Sequence, residues 1–274
     1  MKCGICGGLS IEVAYSGHIR EGRPRELSDK PEIIWGCKGC GVQFLGESLK
    51  HEDYRDETYR ARVGNDAIPQ TEAVSGGVVI DVGAGDGALL SRCDGTRIAV
   101  EPNLENQKAL RQAGFKVYAG LDECLVDWKG KADIVLSMTV IEHVTDPVAL
   151  VRGMADLLSD KGKLFLTTPN RAGILMRLVP LEYARFFYRR AHRWYFDKAS
   201  LEWCVLFAGL DVAVRTEERY GFSNLVNWLR DGVCGKHGLN LRYESQFDFA
   251  YQRFLNDNEL GDVLYAVGRK RVIQ

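Results

Sequence analysis

The run Val78-Val-Ile-Asp-Val-Gly-Ala-Gly-Asp-Gly-Ala-Leu-Leu90 constrains this chain more than any other stretch. Apolar, β-branched residues lead into an acid, Asp81, and then into glycines at alternate positions. This pattern predicts a buried strand, a tight turn and a helix. Gly83, Gly85 and Gly87 remove side chains where a backbone must lie against a ligand. Glu101 follows Asp81 by twenty positions, at the end of a second apolar run, Arg97-Ile-Ala-Val100. An acid at the tip of the second strand accepts hydrogen bonds from ribose hydroxyls. Together these residues predict a nucleoside-binding half-sheet.

Gly83-Ala-Gly-Asp-Gly-Ala88 also satisfies the G-x-G-x-x-A pattern of dinucleotide-binding turns, so the glycines alone leave a nicotinamide nucleotide open. The wider order separates the two. D-x-G-x-G-x-G is followed by Val100-Glu-Pro-Asn103, then by Ala132-Asp-Ile-Val-Leu-Ser-Met138 with Val140-Ile-Glu-His-Val-Thr-Asp-Pro147, then by Gly162-Lys-Leu-Phe-Leu-Thr-Thr-Pro-Asn170. This order resembles the class I S-adenosylmethionine (SAM) dependent methyltransferases, above all the small-molecule branch with an EHV-x-DP segment. The resemblance covers residues 77–215 and returns at 262–269. It implies an α/β, Rossmann-like, seven-stranded and mostly parallel sheet of order 3-2-1-4-5-7-6, with the last two strands as an antiparallel hairpin. It also implies SAM as cofactor, held by Asp81, Gly83, Gly85, Gly87, Glu101 and Ser137, with Asp122 or Glu123 near the adenine.

Cys3-Gly-Ile-Cys6 and Cys37-Lys-Gly-Cys40 form two CxxC pairs, each followed by glycine. Two short cysteine turns bring four thiolates to one tetrahedral ion. They predict an N-terminal zinc ribbon over residues 1–46, with strands at Ile11–Tyr15 and Ile33–Trp35. Four thiolates leave no open position for water, so the zinc would be structural. A ribbon this small needs such a staple to fold. Arg20, Arg23 and Arg25 in the intervening polar loop read as a solvated charge run or as an anion contact. Cys93, Cys124, Cys204 and Cys234 stand alone, and Cys204 reads as core.

At 274 residues and 46% apolar content the chain can bury one large core beside a small domain. It lacks an apolar run long enough to span a membrane and a leading signal segment, and unpaired cysteines suit a reducing, cytoplasmic compartment. A net charge of −1 disfavours a large nucleic acid as substrate.

A polar, helix-prone linker is expected over 47–76, carrying Tyr54 and Tyr59. Tyr-bearing segments precede the SAM domain in zinc-ribbon methyltransferases of sugars, so Tyr59 either borders the active site or packs the linker. The SAM domain is expected over 77–274. Strands are expected at 78–82, 97–101, 115–118, 132–137, 162–168, 211–217 and 262–269, and helices at 86–92, 103–113, 147–158 and 198–208. Asn103 and Asp146-Pro147 read as helix starts, and Lys161-Gly162 as a helix exit. Residues 171–195 and 219–260 interrupt this scheme as helical cap insertions. They leave the strand ends where open α/β sheets bind ligands. Arg185-Phe-Phe-Tyr-Arg-Arg-Ala-His-Arg-Trp-Tyr-Phe196 interleaves basic and aromatic residues, and reads either as a phosphate and sugar grip or as an amphipathic helix. Phe222, Leu225, Val226, Trp228 and Leu229 read as core or as a homodimer contact.

SAM carries an activated methyl group, so transfer needs positioning and, for a hydroxyl acceptor, a base. His143, past the fourth strand, and His192, in the first insertion, are the candidates, with Tyr59 or Tyr195 as neighbour. His143 reads equally as a loop histidine bonded to backbone. Glu142 is expected to orient a loop or the cofactor. Ser137-Met-Thr-Val140 is neither the [DN]-P-P-[YF] of adenine- and glutamine-methylating enzymes nor the Pro-Cys of cytosine-C5 enzymes. The expected function is methylation of a small metabolite, first of all O-methylation, with N- and C-methylation open, of a sugar, sugar nucleotide or phosphorylated precursor in polysaccharide or natural-product biosynthesis. The alternatives are a ribosomal RNA methyltransferase with a zinc ribbon and a silent scaffold that binds SAM and zinc.

Overall fold

The structure is a computed structural model that describes residues 1–22, 26–46, 77–233 and 244–271. The expected linker with Tyr59, and also Arg23, Arg25, His51, Cys234 and His237, lie outside the described residues. Two compact units are present. Met1–His51, Thr168–Trp203 and Val214–Tyr265 form one, here the ribbon unit. Glu52–Thr167, Cys204–Ala213 and Ala266–Gln274 form the other, here the crevice unit.

The seven-stranded sheet contains β4 (Val78–Val82), β5 (Thr96–Val100), β6 (Lys116–Tyr118), β7 (Ala132–Met138), β8 (Leu158–Pro169), β10 (Leu210–Glu217) and β11 (Val263–Lys270). Their order across the sheet is β10-β11-β8-β7-β4-β5-β6. Numbered within the sheet, this is the expected 3-2-1-4-5-7-6, read from the other edge. The pairs β4–β5, β4–β7, β5–β6 and β7–β8 are parallel. Val79, Ile80, Ile98, Ala99, Val135 and Leu136 are all fully buried. Parallel strands covered on both faces read as continuous apolar runs for this reason. The crossover helices are α1 (Leu104–Gln112), α2 (Leu121–Trp128) and α3 (Pro147–Leu157). Asn103 caps α1 by accepting from the Asn106 N–H at 3.0 Å, and Asp146 caps α3 by accepting from the Ala149 N–H at 2.9 Å. Helix α6 (Lys198–Phe207) begins at Asp197, whose Oδ1 accepts from the Ser200 N–H at 2.9 Å.

Two expectations about local structure fail. The helix expected over 86–92 is only a 3-10 turn at Leu90–Arg92. Gly87 sits inside the expected span at φ +79°, which a right-handed helix cannot include. Lys161-Gly162 is not a helix exit, because α3 stops at Leu157 and β8 starts at Leu158. Gly162 serves a close approach instead: a Cβ there would lie 2.5 Å from the Ala132 carbonyl oxygen. Helix α2 was not foreseen.

The ribbon unit has its own sheet of β1 (Ile11–Gly17), β2 (Glu32–Cys37), β3 (Gln43–Leu45) and β9 (Trp194–Tyr195), in that order. The ribbon strands extend past their expected bounds, and β9 comes from the first insertion. Gln43 pairs with Tyr195 and Phe44 with Trp194, antiparallel. The unit also holds α4 (Ile174–Leu178), α5 (Pro180–Phe187), α7 (Phe222–Asp231) and α8 (Glu244–Asp257). Its core joins Ile19 and Ile34 of the ribbon to Tyr183, Phe187, Tyr188 and Tyr195 of the first insertion and to Leu225 and Trp228 of the second.

Candidate active site

The crevice unit builds its site where β4, β5 and β7 end. The loop after β4 holds Gly83, Gly85 and Gly87 at φ +83°, +56° and +79°. Its start is fixed by the Gly83 N–H, which donates to the Val100 carbonyl at 2.8 Å. Gly83 has a packing reason as well: a Cβ there would meet Val140 Cγ2 at 2.4 Å. Val140 follows Thr139, a β-branched residue at φ +54°. That conformation costs on the order of 1–3 kcal/mol, and such strain collects at functional sites. The Thr139 N–H donates to the Thr167 carbonyl at 3.0 Å and so holds the turn out of β7. Neither residue was singled out from the sequence, because a left-handed threonine leaves no compositional trace.

Glu101 ends β5 and is buried. One carboxylate oxygen accepts from the Gly85 N–H and the other from the Asn103 N–H, both at 2.8 Å. Gln107 Nε2 donates to the Glu101 carbonyl at 2.9 Å. The acid therefore joins the glycine loop to the start of α1. Burial raises its pKa, while the two backbone N–H groups oppose that shift. Asp81 is buried on β4, and burial, then the nearby Glu101 charge, pushes its carboxyl up to about 7. Ser137 on β7 is fully buried, and its Oγ has no hydrogen-bond partner among the described residues. Asp122 is exposed in the first turn of α2, and Glu123 accepts from the Ala119 N–H at 3.0 Å. His143 lies after β7 with its side chain 13% exposed, its N–H donating to the Val140 carbonyl at 2.9 Å. Its Nε2 is 3.9 Å from Oε1 of the buried Glu142. The result is a Gly-lined turn, two buried acids, a buried hydroxyl and a partly open imidazole on neighbouring strand ends.

A family model described as a methyltransferase domain matches residues 52–213, more than half of the chain. The chain belongs to this methyltransferase family. A ubiquinone biosynthesis O-methyltransferase of Xanthomonas oryzae pv. oryzae is 34% identical over 134 residues, which are 44% of this chain and 56% of that protein. The protein of the same name from Xanthomonas euvesicatoria pv. vesicatoria is 32% identical over 155 residues, 51% of this chain and 64% of that protein. The chain thus spans less than two thirds of the length of these curated relatives. Among solved structures, a SAM-dependent methyltransferase of Thermotoga maritima matches with a TM-score of 0.48 and 22% identity, over 71% of this chain and 82% of that one. A SAM-dependent methyltransferase of Archaeoglobus fulgidus matches with a TM-score of 0.48 and 17% identity, over 74% and 89%.

The methyltransferase keeps the rest of its candidate residues in the ribbon unit. His192 is buried, and its Nε2 accepts a hydrogen bond from Arg189 Nε at 2.6 Å. A base acting through this ring would have to use Nδ1 or release Arg189. Tyr195 is fully buried. Its hydroxyl donates to the Arg189 carbonyl at 2.8 Å and accepts from the Arg189 N–H at 3.0 Å. Burial drives its pKa upward. These bonds use the hydroxyl to close the turn before β9.

Most of the basic and aromatic run packs inside the ribbon unit. Tyr188, Trp194, Tyr195 and Phe196 are core, and Arg190 pairs with Glu21 at 2.9 Å. Arg20 stacks over Phe186 at 4.5 Å. In the second insertion Leu225 and Trp228 are core, whereas Leu229 is exposed.

Cys3, Cys6, Cys37 and Cys40 converge, with all four sulfurs within 4.8 Å of one another. The Cys3–Cys40 and Cys6–Cys37 Sγ distances are 3.7 and 3.5 Å. Tetrahedral zinc with sulfur at about 2.3 Å needs sulfurs about 3.8 Å apart, so the cluster fits that ion. The Ile5 and Gly8 N–H groups donate to Cys3 and Cys6 Sγ, both at 3.4 Å. Cys93, Cys124 and Cys204 are buried singly.

Proposed function

We propose that this chain transfers the methyl group of SAM to a hydroxyl oxygen of a small metabolite. The observation that carries the reading is the Glu101 carboxylate at the β5 tip, 2.8 Å from the N–H of Gly85 in a loop whose family is that of methyltransferases. SAM supplies a methyl group already activated by its sulfonium. Each carboxylate oxygen has two acceptor positions, so Glu101 can hold the glycine loop and also accept from ribose hydroxyls. Asp81, Gly83, Gly85 and Gly87 shape the floor of the cofactor crevice. Ser137 offers a hydroxyl, and Asp122, exposed in the first turn of α2, is the residue we assign to the adenine. Among the described residues no helix is long and apolar enough to cross a membrane.

Oxygen as acceptor atom is supported by the relatives' name and by the absence of the [DN]-P-P-[YF] sequel after β7. His143 is the group we assign to remove the acceptor proton, because its imidazole is partly open at the β7 exit, and His192 is the second candidate. A sugar, sugar nucleotide or phosphorylated precursor remains the finer reading, supported by the ribbon and the two insertions. The buried aromatics withdraw the phosphate grip from its support. Cys3, Cys6, Cys37 and Cys40 would hold zinc as a structural ion, because four thiolates complete its coordination.

Labelled SAM, offered with fractionated extract and with or without nuclease, tests the proposal. Label in a small, nuclease-resistant methyl ether is expected. Label retained on RNA, or no transfer to any fraction, overturns it.

A further inference from the structure

The two cysteine turns are each gripped by one residue of the first insertion. Gly4, between Cys3 and Cys6, lies beneath Trp194: a Cβ on Gly4 would meet Trp194 Cη2 at 2.7 Å. Trp194 is itself buried and packs against Phe44, with ring centroids 5.6 Å apart. Gly41, directly after Cys40, offers its carbonyl to Arg171 Nη2 at 2.9 Å. The same guanidinium pairs with Asp197, the residue that starts α6. The Arg171 N–H also donates to the Phe196 carbonyl at 2.8 Å.

The cysteine turns therefore hold Trp194 and, through Arg171, Asp197, the C-terminal half of residues 189–197. The N-terminal half is tied to the ribbon loop, where the Arg190 N–H donates to the Arg20 carbonyl at 2.9 Å, and to the C-terminal half. The Tyr195 hydroxyl closes the turn onto Arg189, and Arg189 Nε holds the His192 ring at 2.6 Å. Displacing Trp194 or Arg171 thus has a route to His192 through named bonds. A ribbon of about 45 residues cannot keep its two cysteine turns together without an ion.

We propose that Trp194 and Arg171 are positioning residues, which seat on the two cysteine turns and make the order of residues 189–197, and with it the placement of His192, conditional on the bound metal. The proposal rests on the zinc reading of the four cysteines, and its consequence for turnover rests on an acceptor-side role for His192. It assigns the ion a reach beyond the ribbon itself: loss of metal disorders a segment more than 140 residues away in sequence.

Hydrogen exchange on the full chain decides it, followed together with metal content, SAM affinity and turnover. In the metal-loaded protein the peptide over 188–197 should exchange slowly. A chelator should speed exchange there ~10-fold or more, along with residues 3–8 and 37–41, while β4 and β7 keep their protection. Trp194→Ala, still carrying one metal per chain, should speed exchange at 188–197 alone, lower kcat and leave SAM affinity unchanged, and Trp194→Phe should restore most of the loss. Arg171→Ala should act in the same direction, with Arg171→Lys a weaker effect. Protection of 188–197 that survives both metal removal and Trp194→Ala overturns the proposal. So does a chain that binds no metal. If exchange responds as stated while His192→Ala keeps full turnover, the coupling holds and only the acceptor-side role of His192 falls.

Discussion

The crevice unit and the ribbon unit differ in what holds them. In the crevice unit the central strands β4, β5, β7 and β8 carry apolar runs and pair in parallel, and the loops at their ends are closed on backbone N–H groups. The Gly83 N–H meets the Val100 carbonyl, and both oxygens of Glu101 meet N–H groups. In the ribbon unit the shortest strands are three and two residues long, β3 and β9, and they come from positions 43 and 194. Its core side chains come from three separated segments. The first region is stabilised by regular secondary structure. The second depends on long-range contacts and on four thiols that bring two distant turns together.

The largest effect should therefore fall on one unit alone. Cys37→Ser, or full metal removal, should unfold the zinc ribbon over 1–46, because structural zinc contributes on the order of 10 kcal/mol to folding in such modules. SAM affinity in the crevice unit should survive within a few-fold. Calorimetric unfolding and SAM titration on the same sample read both. A single cooperative loss of both properties would break the contrast. Next in size is His143→Ala, expected to lower turnover ~10²–10⁴-fold with SAM affinity nearly intact, since a positioned base contributes that much. Steady-state kinetics beside His192→Ala shows which unit supplies the base, and full activity in both variants would remove a histidine base from the mechanism.

The same contrast explains what could be read from the chain. Strands β4, β5, β7 and β8 and the caps Asn103 and Asp146 were legible because their signals are local: apolar runs, glycines at fixed offsets, a cap three residues before its donor. The cysteine pairs were legible because thiol spacing is a strong code. The helix over 86–92 was misread because Gly87 looked like a helix residue and is a left-handed turn residue. The aromatic run over 185–196 stayed open between two readings because an interleaved pattern does not say which side chains face a core. That depends on β9 pairing with β3, some 150 positions upstream. Tyr195 shows the cost of this: as sequence it neighbours a histidine, and in the fold its hydroxyl is spent on Arg189. Thr139 and Val140 left no signal at all, since their importance lies in one backbone angle and in the room that Gly83 leaves.

A smaller effect tests how tightly the crevice is tied. Glu101→Ala should cost on the order of 1–3 kcal/mol of SAM affinity, about 10- to 100-fold in Kd. It also frees the Gly85 and Asn103 N–H groups, so exchange at these two amides should rise while the ribbon unit stays as it was. Unchanged SAM affinity measured by calorimetry would remove Glu101 from the cofactor site.

The smallest expected effect separates the two units by pH. Asp81 belongs to the crevice unit and titrates near 7 when folded, against 3.8 for an ordinary aspartate. Between those values the folded state binds a proton that the unfolded state has lost, so stability falls as pH rises. The fall begins near the unfolded value and is complete above the folded one. From pH 6 to pH 8 the remaining part is on the order of 1 kcal/mol, the worth of about one pKa unit. Glu218, in the ribbon unit, is pushed up to about 8 by burial and by Asp262, so its loss runs in the same direction and ends at higher pH. Asp81→Asn should flatten the pH 6–8 slope, and Glu218→Gln should flatten the slope around pH 8. Denaturant unfolding at half-unit pH steps, compared between the two variants, separates these contributions. A slope that Asp81→Asn leaves untouched would mean that Asp81 is already ionised at pH 6, with a cation or solvent reaching a carboxyl that the fold encloses on β4.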